Sequence, residues 1–170
     1  MDAKLKKFLD SNKIKYKVVE HKKVYTALNE AVTLASTSRG RSGQHLNEKT
    51  VAKTVLVKAD KGYALVVVPA AKHVDFNKVK KALASARGGS AFGGKKVSMA
   101  KESDMAKVLK TKIGLVHPFG NLYKLPVLID NSLLKQKEII TSAGSYTESI
   151  EIKPKDYEKL VQPIKGGFSK

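Results

Sequence analysis

Cysteine is absent from this chain, which excludes disulfides, thiolate nucleophiles and cysteine zinc sites. Arginine is almost absent: Arg39, Arg41 and Arg87 are the three examples, too few to favour bidentate guanine reading in a major groove. Acidic residues are scarce beside basic ones, and no close carboxylate pair sits in a glycine-rich loop, as general acid–base work would favour. Long hydrophobic runs are missing too. The longest, "ALVVVPAA" (64–71), has the length of a strand and falls far short of a membrane span. The first residues, "MDAKLKKFLD", alternate charge with Leu5, Phe8 and Leu9 and lack the apolar core of a secretory signal. A soluble cytoplasmic protein without a membrane partner is expected.

The familiar catalytic signatures are missing as well. There is no HExxH, GxSxG or Walker lysine loop, and no GxGxxG between a strand and a helix. His21, His45, His73 and His117 lie in four separate segments at no metal-ligand spacing, so neither a metal nor another cofactor is expected. If the protein is an enzyme, it works without an evident side-chain nucleophile.

What the chain has in excess is lysine. Lys+Arg number 33 against 15 Asp+Glu, a formal charge of +18. Such a surplus suits a polyanion bound through its phosphates. The alternative is a solvated lysine-rich surface, but surfaces of that kind usually raise Glu together with Lys, and here Glu lags.

At 170 residues and 42% hydrophobic content, one domain over 1–170 is expected, able to bury a core of its own. Helical spacing of Leu5, Phe8 and Leu9 predicts a first helix. A strand (15–21) and a second helix (26–36) follow, then a polar loop (36–50). The run "VAKTVLV" (51–57) and "GYALVVVPA" (62–70) read as two strands joined by a tight turn at "ADKG". A helix over 74–84 has Asp75 as its cap, and a glycine-rich segment (85–94) leads to a short strand. A helix in "KESDMAKVLK" (101–110) is expected to start at Ser103 or Asp104. Beyond a Gly- and Pro-bearing loop come a strand (126–130), a short turn capped by Asp130, two further strands (138–145 and 148–153), and a last helix with Pro154 in its first turn. Several strands are joined too closely for helical crossovers. The expected fold is therefore α+β: a mixed, largely antiparallel, barrel-like sheet surrounded by helices.

Three stretches invite a chemical reading. Lys53 interrupts an apolar strand on the face it shares with Val51, Val55 and Val57. It is either a cation aimed at a phosphate or carbonyl oxygen, or an edge-strand guard or incidental lysine. "GLVHPFG" (114–120) has a glycine that permits close backbone approach and a proline that stiffens the loop; an ordinary surface turn has the same composition. "SAGS" (142–145) ends a strand, and its Gly144 suits a bulge or an exposed N–H.

In order and spacing these stretches resemble the YbaK-like aminoacyl-tRNA deacylases, related to the editing domain inserted in bacterial prolyl-tRNA synthetases. The resemblance runs from "YKVVEH" through "VAKTVLVK", "ALVVVPAAKHVD", "GLVHPFG", "LPVLIDNSL" and "SAGS" to "IKPKDYEKL". It implies that Lys53 is the functional lysine and that Gly114 to Pro118 form the loop meeting an aminoacyl ester. His117 and Gly144 complete the implied catalytic set, with Thr54, Val116, Phe119, Gly120, Ala143 and Ser145 around the substrate. The implied activity is hydrolysis of a small amino acid, such as Ala or Cys, from a mischarged tRNA, with tRNA(Pro) expected. A synthetase is an implied partner. A non-catalytic module that binds aminoacyl-tRNA or RNA is the alternative. Two departures stand out: the 85–94 segment is longer and richer in glycine than the family's usual link, and "KTKIG" supplies one glycine where cysteine-removing members carry two.

Overall fold

The computed structural model describes residues 1–27, 49–86 and 96–170. Most of the expected 26–36 helix, the polar loop after it and most of the glycine-rich 85–94 segment lie outside the described residues.

Helix α1 (Ala3–Ser11) starts where Asp2 accepts hydrogen bonds from the Lys4 and Leu5 N–H groups at 2.8 and 3.0 Å, satisfying two donors of the first turn. Leu5 and Leu9, one turn apart, are its buried stripe. β1 (Tyr16–Glu20) follows. The long hairpin is β2 (Ala52–Ala59) and β3 (Gly62–Pro69), paired from Ala52↔Pro69 to Ala59↔Gly62, so only Asp60 and Lys61 turn the chain. Asp75 caps α2 (Phe76–Ser85), and β4 (Val97–Met99) is the short strand.

Helix α3 (Glu102–Val108) begins earlier than the expected Ser103 or Asp104. Asp104 lies inside the first turn and accepts from the Lys101 N–H at 3.0 Å. A carboxylate three residues in thus does the capping that the sequence assigned to the boundary itself. β5 (Val127–Asp130) passes directly into α4 (Asn131–Leu134), whose cap is Asp130 accepting from Ser132 N–H at 2.9 Å, as expected. Strands β6 (Ile139–Ser142) and β7 (Glu148–Ile152) lead to α5 (Pro154–Val161), with Pro154 in its first turn. One strand was not foreseen: β8 (Ile164–Gly166), drawn from the lysine- and glycine-rich tail by parallel pairing with β5.

The strands form two open sheets. One has the order β1-β7-β6, all antiparallel; the other has the order β4-β2-β3-β5-β8. In the larger sheet β4, β2 and β3 are antiparallel neighbours, whereas β3-β5 and β5-β8 pair in parallel. The sheet is mixed and mostly antiparallel as expected, but no barrel closes. A bridge between Val51 and Ile140 joins the two sheets at the start of β2.

Strand register then divides the core. Leu56, Leu65 and Val67 face Ile139, Ile150 and Ile152 of the smaller sheet, together with Leu5, Leu9, Phe119 and Tyr157. Val57, Ala64, Val66 and Val68 point the other way, onto Val79 and Leu83 of α2 and Phe168. β3 is buried on both faces, which explains its unbroken apolar run.

Tyr157 fastens α5 to the loop before β5. Its ring meets Phe119 edge-on with centroids 5.5 Å apart, and its hydroxyl donates to the Pro118 carbonyl at 2.8 Å. Tyr157→Phe keeps the ring but leaves that buried carbonyl without its donor. The expected loss is about 1–3 kcal/mol, read as a lower urea midpoint with an unchanged slope.

Candidate functional site

β2 has β4 beside it only from Val57 to Ala59. Toward its start, the bridge from Val51 to Ile140 brings β6 alongside. Between these two pairings one flank of β2 opens onto a cavity of about 150 Å³. Lys53, Thr54, Gly114, Val116, Ser142 and Ser145 are among its lining residues. The three stretches singled out in the sequence therefore meet at one place.

Lys53 is half-buried at the open end of the valine face. Burial pushes its pKa below the usual 10.5, because a desolvated ammonium loses hydration. Among the described residues none pairs with it. Thr54, the next residue, brings a second unanswered group: its Oγ1 is buried without a hydrogen-bond partner. Buried hydroxyls are normally satisfied, so this one holds unmet hydrogen-bonding capacity beside the cavity. Thr141 Oγ1, one strand over, is likewise unsatisfied.

The 114–118 loop is shaped by backbone constraints. Gly114 has φ +83°, and a Cβ there would lie 2.5 Å from the Tyr25 carbonyl oxygen. Only glycine fits. Beyond it, Val116 is buried while still bordering the cavity. Tyr146 donates to the Ile113 carbonyl at 3.1 Å and packs on Tyr25 at 5.0 Å, tying Ile113, a lining residue, to the 24–27 segment.

Other expected site residues face elsewhere. His117 lines a separate cavity of about 350 Å³, as does Gly144. The His117 ring stacks on Tyr123, centroids 4.6 Å apart and planes 21° from parallel. Burial pushes its pKa down to about 4, against a smaller opposing pull from the Asp2 carboxylate, and burial pushes the Tyr123 phenol up to about 12. Gly144, at φ +72°, leaves room for Asp2 and donates its N–H to Ser142 Oγ at 3.2 Å. Pro118 and Phe119 are buried anchors, the latter fully enclosed in the core. Gly120 packs so closely that a Cβ would sit 2.3 Å from the Leu125 carbonyl oxygen. Ala143 is fully buried, its carbonyl accepting from Asp2 N–H at 2.8 Å.

Sequence reasoning missed Ser142, Met105, Ile113, Val24, Thr26 and Ala27 as cavity lining. Ser142 was in view as the first residue of "SAGS"; it ends β6 and lines the Lys53 cavity, whereas Gly144 lines the second. Nothing local marked the others, which come from distant segments. Among the described residues no group of histidine and acidic side chains is arranged to hold a metal, and no helix is long and apolar enough to cross a membrane.

The model of the aminoacyl-tRNA editing domain matches residues 21–160. The chain belongs to that family. Solved structures share its fold over nearly the whole length. Hypothetical protein APE2540 superposes with a TM-score of 0.79 at 18% identity, covering 98% of this chain and 99% of its own. A candidate trans-editing enzyme for prolyl tRNA synthetase superposes with a TM-score of 0.76 at 18% identity, covering 100% and 99%. At such identity these likenesses concern the fold. The editing-domain match spans Lys53, the 114–118 loop and the strand leading to Ser145.

The His117 environment has a measurable consequence. Its folded pKa lies near 4 against an ordinary 6.5, so between those values the unfolded chain takes up a proton that the folded one refuses. Stability is fully retained above pH 6.5 and falls toward pH 4 by about 3 kcal/mol from this group. Comparing urea unfolding at pH 7 and pH 4 for the protein and His117→Phe checks this: the variant should lose less over the same interval.

Proposed function

We infer that this editing-domain protein hydrolyses the ester joining a small amino acid, such as alanine or cysteine, to the terminal ribose of a mischarged tRNA, with tRNA(Pro) the first substrate to test. One observation carries the reading: a half-buried Lys53, without an ion-pair partner among the described residues, shares a small cavity with Gly114 and Val116 of the Gly-x-x-x-Pro loop.

An activated ester needs little chemical help beyond a positioned water and donors for the developing oxyanion. Among the described residues, the N–H groups of Gly114 and Val116 have no hydrogen-bond partner, so they suit an oxyanion or the ester carbonyl. Lys53 supplies a positive charge in partly dry surroundings, where it attracts a phosphate or a carbonyl oxygen more strongly than in water. Thr54 borders the same cavity, and a rotation of its side chain would bring the unsatisfied Oγ1 to the amino acid's ammonium or carbonyl. No side-chain nucleophile is required, and a ribose hydroxyl of the substrate can take the role of base. His117 and Gly144, which face the second cavity, act in this scheme by shaping the loops.

Size supports a small amino acid. A cavity of about 150 Å³ lies well below the roughly 300–1,000 Å³ of ordinary ligand pockets, which favours a small aminoacyl group over a bulky one. The formal charge of +18 provides sequence-independent attraction for the tRNA backbone. In this reading the protein works in the cytoplasm beside a synthetase whose errors it removes.

The test is a deacylation panel with tRNA(Pro) carrying Ala, Cys, Ser or Pro. The protein should release one or two small amino acids, and Lys53→Ala should lower kcat/KM by about 100-fold or more with the fold unchanged by circular dichroism. Turnover of mischarged tRNA by that variant at the normal rate would sink the catalytic assignment. Binding of aminoacyl-tRNA without any release would establish the non-catalytic alternative.

A further inference from the structure

The larger cavity, of about 350 Å³, has no part in that hydrolysis. It lies across the same two loops: Gly114 and Val116 border the Lys53 cavity, while Leu115 and His117 border this one. Likewise Ser142 and Ser145 belong to the first cavity and Gly144 to the second.

Its chemistry is that of a donor set. Lys4, Lys110 and Lys124 lie around it, all exposed, and among the described residues none of the three is in an ion pair. One carboxylate, Asp2, borders the cavity, and its Oδ1 is engaged in capping α1. The decisive group is His117, only 3% exposed. Its Nδ1 accepts the Phe119 N–H at 3.4 Å, so a neutral ring carries its proton on Nε2. Among the described residues that Nε2–H has no partner. The ring borders the cavity, so this donor is placed to meet an acceptor bound there.

We propose that this second cavity binds a phosphate monoester dianion, held by the ammonium groups of Lys4, Lys110 and Lys124 and by the Nε2–H of His117. Three ammoniums against one carboxylate leave a local excess of two positive charges, matching a phosphate dianion rather than a carboxylate. Phosphate also offers three terminal acceptor oxygens for these donors. A metal cation is disfavoured by the same charges. The volume falls within the range of small-ligand sites and exceeds what a bare phosphate fills, leaving room beside Tyr123 for the group that the phosphate esterifies. That phosphate could be carried by a free nucleotide or by the 5′ end of an RNA; the recognising chemistry is shared.

The experiment follows the His117 imidazole resonances of the full chain by NMR during separate titrations. The probes are inorganic phosphate, adenosine monophosphate, and one RNA oligonucleotide with either a 5′-phosphate or a 5′-hydroxyl. A saturable shift with adenosine monophosphate or the 5′-phosphorylated RNA is expected, at least about tenfold weaker in K110Q/K124Q, with Lys4→Gln acting in the same direction. Preference for the phosphorylated over the hydroxyl RNA assigns an RNA end; a response to adenosine monophosphate alone assigns a free nucleotide. Absence of a saturable shift with every probe, an equal shift with acetate at matched ionic strength, or undiminished affinity in both lysine variants would overturn the proposal. The readout needs no deacylation, so failure here and failure of the hydrolytic reading are separate results.

Discussion

The burial of Phe119 is the constraint on which both cavities depend. Its ring is fully enclosed, meeting Phe8 of α1 and Tyr157 of α5 edge-on, and the neighbouring Pro118 carbonyl is held by the Tyr157 hydroxyl. With the end of the loop locked into the core, the preceding residues have little freedom. Gly114 and Val116 turn to one cavity, and Leu115 and His117 to the other. A loop whose backbone must satisfy these anchors behaves as a partition between two lysine-bearing cavities.

The lysine in β2 follows from a related economy. On the same face, Val57 is packed with Val66 and Val68 under α2, while Val51, toward the start, packs in a separate small cluster with Ala70 and Ile140. Between them β4 has ended, and β6 bridges the chain at Val51–Ile140, just before β2. Lys53 occupies this gap, where its aliphatic stem covers apolar surface while the ammonium reaches the cavity. The flank is locally unpaired, as for a guarded edge, and it opens onto the cavity.

Much of the secondary structure was legible because capping and periodicity are local. Asp75 and Asp130 cap helices as their positions foretold, and the tight turn at Asp60 and Lys61 sets the hairpin register. The errors have local reasons too. Asp104 caps α3 from inside its first turn, so the helix starts before the residue that looked like its boundary. β8 has little strand character of its own and depends on the edge that β5 offers. Open sheets in place of a barrel reflect a pairing choice between distant strands, which no single segment encodes.

The site divides in the same way. Sequence alone determined the residue types and spacing: a lysine in an apolar strand, a Gly-x-x-x-Pro loop and a glycine-bearing strand end, with a charge suited to a polyanion. Those features depend on steric limits at glycine and proline and on the sum of the charges, all written in the chain order. Only the tertiary structure decided that Lys53, Gly114 and Ser142 share a cavity while His117 and Gly144 face away from it. Which side of a loop a residue faces is settled by the packing of its anchor. For this loop the anchor is Phe119, whose partners lie on helices at opposite ends of the chain.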